Sequence, residues 1–108
     1  MPKLFSYGTL QDPQVQLATF RRLLNGSPET LCGYKLSLIK IADPEIIKTS
    51  GKEFHPTLIF SDNKTDEVSG MLFDVTEAEL FDCDSYEKQY KRVSVRFKSG
   101  IQGFVYTA

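Results

Sequence analysis

Near its end the chain alternates. From Tyr90 to Phe97, Val93, Val95 and Phe97 fall on one face and polar or charged residues on the other, which is the period of a half-buried strand. Ser99-Gly100 turns the chain, and Ile101 to Tyr106 runs apolar again, so the two segments read as a β-hairpin. Short apolar runs closed by turn chemistry recur upstream. Leu4 to Tyr7 stops at Gly8. Thr30 to Ile41, with Tyr34, Leu36 and Leu38 alternating, stops at Asp43-Pro44. Thr57 to Phe60 runs into the polar turn Ser61 to Asp66, and Val68 to Val75 follows with Gly70 inside it. A glycine within a strand marks a bulge or a close backbone approach. Glu45 to Pro56 is polar, carries Gly51 and reads as a loop crossing the surface.

Two helices interrupt these strands. Gln11 to Leu24 starts with Asp12-Pro13, an N-cap followed by proline at the first helical position, and stops at Asn25-Gly26 with Ser27-Pro28 beyond. Val15, Leu17, Ala18, Phe20, Leu23 and Leu24 supply its apolar stripe. Thr76-Glu77-Ala78-Glu79 is a capping box. The short helix after it is expected to turn Leu80 and Phe81 inward. Short strands joined mostly by tight turns, with two helices, predict an α+β fold: a small, mixed, mostly antiparallel β-barrel with two flanking helices. At 108 residues this is one domain over residues 1–108.

The composition excludes several functions. Thirteen basic against fourteen acidic residues leave a net charge of −1, without the electrostatic footprint of a nucleic-acid binder. Lys88, Lys91, Arg92, Arg96 and Lys98 form the nearest thing to a basic patch, read as a solvated strand face. No run approaches the roughly 18 apolar residues of a membrane span. With no signal-peptide pattern after Met1, the protein is expected in the cytoplasm, with Cys32 and Cys83 as free thiols. One histidine, His55, and no CxxC pattern argue against a zinc site. No cofactor is implied, and nothing sets the oligomeric state.

Three stretches carry possible chemistry. Tyr7-Gly8-Thr9-Leu10 reads either as a plain strand-to-helix turn or as a loop whose backbone N–H groups form an anion-binding nest before a helix. In Asp82-Cys83-Asp84-Ser85-Tyr86-Glu87, the pair Asp84 and Glu87 has the spacing of a reciprocal cap, and Glu87 reads either as such a cap or as a catalytic carboxyl. Phe54-His55-Pro56 offers His55 as a general base or as a surface residue. Cys83 has no cationic neighbour in sequence to activate it and reads as a buried thiol.

Taken together and in order, these stretches resemble the gamma-glutamylcyclotransferase-like family of small barrel proteins. The resemblance rests on Tyr7-Gly8-Thr9-Leu10 after the first strand, on Phe54-His55-Pro56, and on Asp84-x-Tyr86-Glu87-x-x-Tyr90-x-Arg92 before the closing hairpin, and it spans residues 4 to 106. Lys88 stands where the family commonly has glycine, and His55 where it commonly has tyrosine. What the resemblance implies is a cyclotransferase acting on a small-molecule γ-glutamyl amide or amine and releasing 5-oxoproline, without a cofactor or a metal. It implies Glu87 as general acid/base, Tyr7, Gly8, Thr9, Leu10 and Pro56 as substrate-binding residues, and Asp84, Tyr90 and Arg92 as supporting groups, with an Asp84–Arg92 ion pair as one possibility. A binding module for small carboxylates on the same fold is the alternative.

Overall fold

In the computed structural model of the chain, residues 1–40, 54–87 and 90–107 are described. The elements run β1 (Lys3–Ser6), a 3-10 turn (Thr9–Gln11), α1 (Pro13–Phe20), β2 (Gly26–Cys32), β3 (Tyr34–Lys40), β4 (Phe54–Phe60), β5 (Glu67–Asp74), α2 (Glu77–Tyr86), β6 (Lys91–Arg96) and β7 (Gln102–Thr107). Five strands form one sheet in the order β2-β5-β1-β7-β6, and β3 and β4 form a separate two-stranded ribbon. Among the described residues only the β1–β7 pairing is parallel, and the other four are antiparallel.

The short strand β1 is central, and alternation along it fixes the layers. Leu4 joins Leu24, Phe73, Val75, Leu80, Cys83 and Tyr106 in one core cluster, whereas Phe5 joins Leu31, Leu58, Val68, Leu72, Phe97 and Val105 in the other. The same two-residue period separates Leu72 from Phe73 on β5 and Val105 from Tyr106 on β7. The first cluster is roofed by the helices and the second by the ribbon. Each fully buried apolar side chain of this kind contributes about 1.5–3 kcal/mol. Gly70 lies where β5 passes β1: a Cβ built on it would collide with the Ser6 carbonyl and the Phe5 ring. The close backbone approach expected there is therefore real.

The expected barrel is not closed among the described residues. β2 and β3, read from the sequence as one strand from Thr30 to Ile41, are two strands that part at Gly33, whose φ of 81° only glycine adopts without strain. Its N–H donates to the Asp66 carbonyl and its carbonyl accepts from Ser61 N–H, so the chain turns a corner and leaves the sheet. At the other side of the ribbon, side chains replace a strand ladder. The Leu58 N–H donates to the Tyr7 hydroxyl at 3.3 Å, and the Leu58 carbonyl accepts from the Thr107 hydroxyl at 2.8 Å. The buried Thr57 hydroxyl lies 3.2 Å from that of Tyr90. A buried backbone group must find a partner, and here the Tyr7 and Thr107 hydroxyls supply both of Leu58's. Pro28 is tolerated within β2 because β2 is an edge strand. The loop expected over Glu45 to Pro56 lies outside the described residues up to position 53, and Phe54, His55 and Pro56 already belong to β4.

Both helices differ from expectation in detail. α1 starts at Pro13 with Asp12 accepting from Gln14 N–H, but it ends at Phe20, because Arg21 takes φ 59° and caps it by donating its N–H to the Leu17 carbonyl. Leu17 and Leu23 of the apolar stripe are exposed, and Gln16 is buried instead. The Gln16 carboxamide donates to the Leu10 carbonyl at 2.8 Å and accepts from Leu24 N–H at 2.9 Å. It ties the chain on both sides of the helix. α2 has the predicted capping box. Leu80 points inward as expected, but Phe81 is 70% exposed and Cys83 takes the second inward position. That pairing follows helical geometry, since residues three apart share a face.

Glu79 couples the two helical regions. Its carboxyl forks with Arg22 at 2.7 and 2.8 Å and accepts from Thr76 N–H at 2.8 Å. The Arg22 guanidinium, aided by the Thr76 amide, holds the Glu79 carboxyl down to about 2. A folded-state value below the ordinary 4.5 means that this stabilisation is full above that pH and fades as pH falls towards the folded value. Glu79→Gln is expected to lower the melting temperature at pH 7, with the gap to the parent protein closing as pH approaches 2; differential scanning calorimetry over that range checks it. Gly70→Ala is expected to cost about 1–3 kcal/mol by overpacking β5 against β1, read as a shift of the urea midpoint at constant slope.

Candidate active site

The last turn of α2 sets the site. Glu87 caps the helix, donating its N–H to the Cys83 carbonyl at 2.8 Å, and its own carbonyl accepts from Tyr90 N–H at 3.0 Å. The backbone there (φ −97°, ψ 46°) has left the helix. Asp84 lies within α2, three residues earlier, so the reciprocal cap read from the sequence is not formed: the Asp84 side chain is engaged elsewhere. Its Oδ1 accepts from the Tyr106 hydroxyl at 2.8 Å and lies 3.1 Å from Arg92 Nε. Arg92 and Tyr106 are direct cross-strand partners on β6 and β7, which is why both reach one oxygen. The Arg92 guanidinium also rests over the Phe104 ring, 4.8 Å from its centroid.

Asp84, Glu87, Tyr90, Arg92 and Tyr106 line a cavity of about 290 Å³, close to the low end of the size range of small-molecule pockets. Among the described residues, no hydrogen bond or ion pair reaches the Glu87 carboxyl. Burial raises its pKa above the ordinary carboxylate value. The C-terminal end of α2, the negative pole of its macrodipole, acts in the same sense. Burial also pushes the Tyr7 hydroxyl up to about 12, with the charges of Tyr90 and Glu87 adding to it, which places the Tyr7 hydroxyl within electrostatic reach of Glu87. The Tyr106 hydroxyl is raised by burial and by its bond to Asp84. The Cys83 thiol is pushed up to about 12 by burial and by the surrounding carboxylates; it stays protonated and is no nucleophile.

The residues singled out in the sequence are thus partly gathered. Asp84, Glu87, Tyr90 and Arg92 share one cavity; Tyr7, which follows β1, does not line it, and its hydroxyl accepts from Leu58 N–H. Gly8 and Leu10 are not among the described residues lining it. Gly8 has a φ outside the left-handed region, and a Cβ built on it would meet no atom within 4 Å, so the space beside that backbone is open. Thr9 opens the 3-10 turn. Pro56 lies on β4 opposite Leu38, one residue from Thr57. Of the basic patch, Arg92 is paired with Asp84 and Lys98 with Glu67. Tyr106 is not singled out by the sequence, and Thr57 closes the Phe54-His55-Pro56-Thr57 stretch without a role of its own. The alternation of the last strand places Tyr106 on the face of Phe104, but only the three-dimensional pairing with Asp84 marks it. Among the described residues, no group of three or more His, Cys, Asp and Glu side chains is placed to hold a metal ion, and no helix is long and apolar enough to cross a membrane.

The fold and sequence have relatives. A solution structure from Arabidopsis thaliana is 25% identical with a TM-score of 0.74, covering 98% of this chain and 61% of its own. A second solution structure from Arabidopsis thaliana is 25% identical with a TM-score of 0.75, covering 98% of this chain and 67% of its own. A gamma-glutamyl cyclotransferase of known structure shares the fold at 18% identity and a TM-score of 0.67, over 97% of this chain and 64% of its own. The chain therefore spans roughly three fifths to two thirds of the length of these proteins. No curated protein matches the sequence. The family described as gamma-glutamyl cyclotransferase, AIG2-like, matches residues 4–108, and with the match running nearly end to end the chain belongs to that family.

Proposed function

We propose that the protein is a cyclotransferase that converts a γ-glutamyl amide or amine into 5-oxoproline and the free amine, with Glu87 as its general acid/base. The observation that carries this reading is a part-buried carboxyl, free of any counter-charge among the described residues, facing a small cavity at the end of α2. Family membership supports the reaction class.

The chemistry asks little of the protein. The substrate α-amino group, protonated near neutral pH because such groups have pKa values near 8, gives a proton to the Glu87 carboxylate. The freed nitrogen attacks the γ-carbonyl, forming the lactam C–N bond. Glu87 returns its proton to the departing nitrogen as the old C–N bond breaks. The remaining ammonium proton leaves to the released amine or to solvent, and the lactam nitrogen keeps one. A carboxyl raised towards neutrality serves both transfers better than an ordinary one. Such proton transfer contributes about 10²–10⁴-fold, and holding the chain folded for ring closure contributes several kcal/mol more. In this reading the backbone of Gly8, Thr9 and Leu10 binds the substrate carboxylate or the developing oxyanion. Tyr7 and Pro56 wall the pocket, while Asp84, Tyr90 and Arg92 support the carboxyl.

Glu87→Gln is expected to lower 5-oxoproline release from γ-glutamyl amides by about a hundredfold or more while binding persists. The acid limb of kcat/KM in the parent protein is expected above the ordinary carboxylate value and to vanish in the variant. Binding of such compounds without turnover in the parent protein would assign the carboxylate-binding module instead.

A second expectation concerns stability. With a folded-state pKa above the unfolded one, the Glu87 contribution is whole below the unfolded value and is lost as pH rises through the folded value. Glu87→Gln is therefore expected to melt higher than the parent protein at pH 7 and equally at about pH 3, below the carboxylate reference values. A variant that melts lower at pH 7 would make Glu87 a structural cap.

A further inference from the structure

Asp84 and Glu87 are three residues apart at the end of one helix, and Arg92 reaches their cavity from the neighbouring strand. A guanidinium there has two carboxylates to choose between. It sits on Asp84, and two further contacts hold it in that choice. The Tyr106 hydroxyl donates to the same Asp84 oxygen that Arg92 Nε approaches, which fixes the rotamer of the aspartate. The Phe104 ring lies under the guanidinium, which fixes its plane. Glu87, in the same cavity, is left without a cation among the described residues. The cavity is small enough that charges on its walls interact within a Debye length at physiological salt. An opposite charge within about 4–6 Å of a carboxyl lowers its pKa by roughly 1–3 units, which would spoil it as a base for an ammonium substrate.

Resting on the cyclotransferase reading, we propose that Asp84 is a positioning residue: by holding Arg92 together with the Tyr106 hydroxyl it keeps the guanidinium from pairing with Glu87 and leaves that carboxyl free to exchange a proton with substrate. Asp84 on α2, Tyr90 in the turn, Arg92 on β6 and Tyr106 on β7 share the cavity with Glu87, and the Tyr7 hydroxyl after β1 and the Cys83 thiol on α2 interact with its charge; Lys88 lies outside the described residues. Arg92 is the one cation among those described, so the charge balance of the cavity turns on which carboxylate it serves. Asp84 therefore acts through Arg92 and need not touch substrate.

Charge rescue tests this. The Glu87 carboxyl carbon is titrated by NMR in the parent protein, in Asp84→Asn, in Arg92→Gln and in the double variant, and the acid limb of 5-oxoproline release is measured alongside. Asp84→Asn frees Arg92, and the Glu87 midpoint is expected to fall by about one pH unit or more, with kcat falling and the acid limb moving with it. Arg92→Gln leaves the Asp84 charge bare and is expected to raise the midpoint. The double variant, with both charges gone, is expected to return the midpoint towards the parent value, a recovery that a merely structural role would not produce. An unmoved or raised midpoint in Asp84→Asn, or a double variant that keeps the fall, overturns the proposal. If Asp84→Asn does not fold, Tyr106→Phe, which removes the second hold on the same aspartate oxygen, decides instead: a fall of the midpoint that is abolished by adding Arg92→Gln supports the proposal, and no fall overturns it. The midpoints are read without substrate. If they move as stated while the parent protein releases no 5-oxoproline, the electrostatic arrangement stands and the cyclotransferase reading falls.

Discussion

At the end of α2 the Glu87 carboxyl is kept partly out of water, and among the described residues no cation pairs with it. Burial penalises the charged form of such a group, and the carbonyls at the helix terminus add to the penalty. An arginine pairing with it would relieve both; Arg92, in the same cavity, pairs instead with Asp84, whose Oδ1 also accepts from the Tyr106 hydroxyl, and rests over the Phe104 ring. Burial raises the Glu87 pKa, and the chemistry proposed for the site depends also on where β6 and β7 deliver Arg92, Phe104 and Tyr106 beside it.

The delivery depends on the sheet. β1 is buried on both faces and paired on both edges, so its end is positioned by the whole core. Tyr7 follows directly, and its hydroxyl accepts from Leu58 N–H while lying within electrostatic reach of Glu87. The ribbon is joined to this region by hydroxyls of Tyr7, Tyr90 and Thr107 in place of a strand ladder. At that open seam three hydroxyl-bearing side chains join sheet, ribbon and post-helix turn, and one of them, Tyr90, lines the cavity. A continuous ladder would have filled the same place with backbone. On the opposite side of the short 3-10 turn, the Gln16 carboxamide pins Leu10, so the turn after Gly8 is held from both ends.

Local rules made much of this legible. The alternation of Val93, Val95 and Phe97, the Ser99-Gly100 turn and the capping box at Thr76 each depend on near neighbours, and each appears as read. The close approach at Gly70 was equally readable, since a glycine within a strand has few other reasons to be there. What was illegible depends on distant partners. The corner at Gly33 splits an apparently continuous run because Asp66 and Ser61, remote in sequence, bond its backbone. Gln16 is buried against the helical stripe because its two ends satisfy Leu10 and Leu24. Phe81 looked inward by hydrophobicity alone, yet the register of α2 gives that place to Cys83. In the candidate site, the order of motifs singled out Glu87, Asp84, Tyr90 and Arg92. It gave no sign of Tyr106, whose part is defined by a hydroxyl-to-carboxylate bond spanning 22 residues.

In the proposed reaction Glu87 and the backbone after Tyr7 serve one ligand. A crystal structure with 5-oxoproline bound tests it most directly. The lactam nitrogen is expected within hydrogen-bond distance of the Glu87 carboxyl, and the ligand carboxylate on backbone N–H groups of the Gly8–Leu10 turn. A ligand seated elsewhere, or seated in this cavity with its lactam nitrogen away from Glu87, would contradict it.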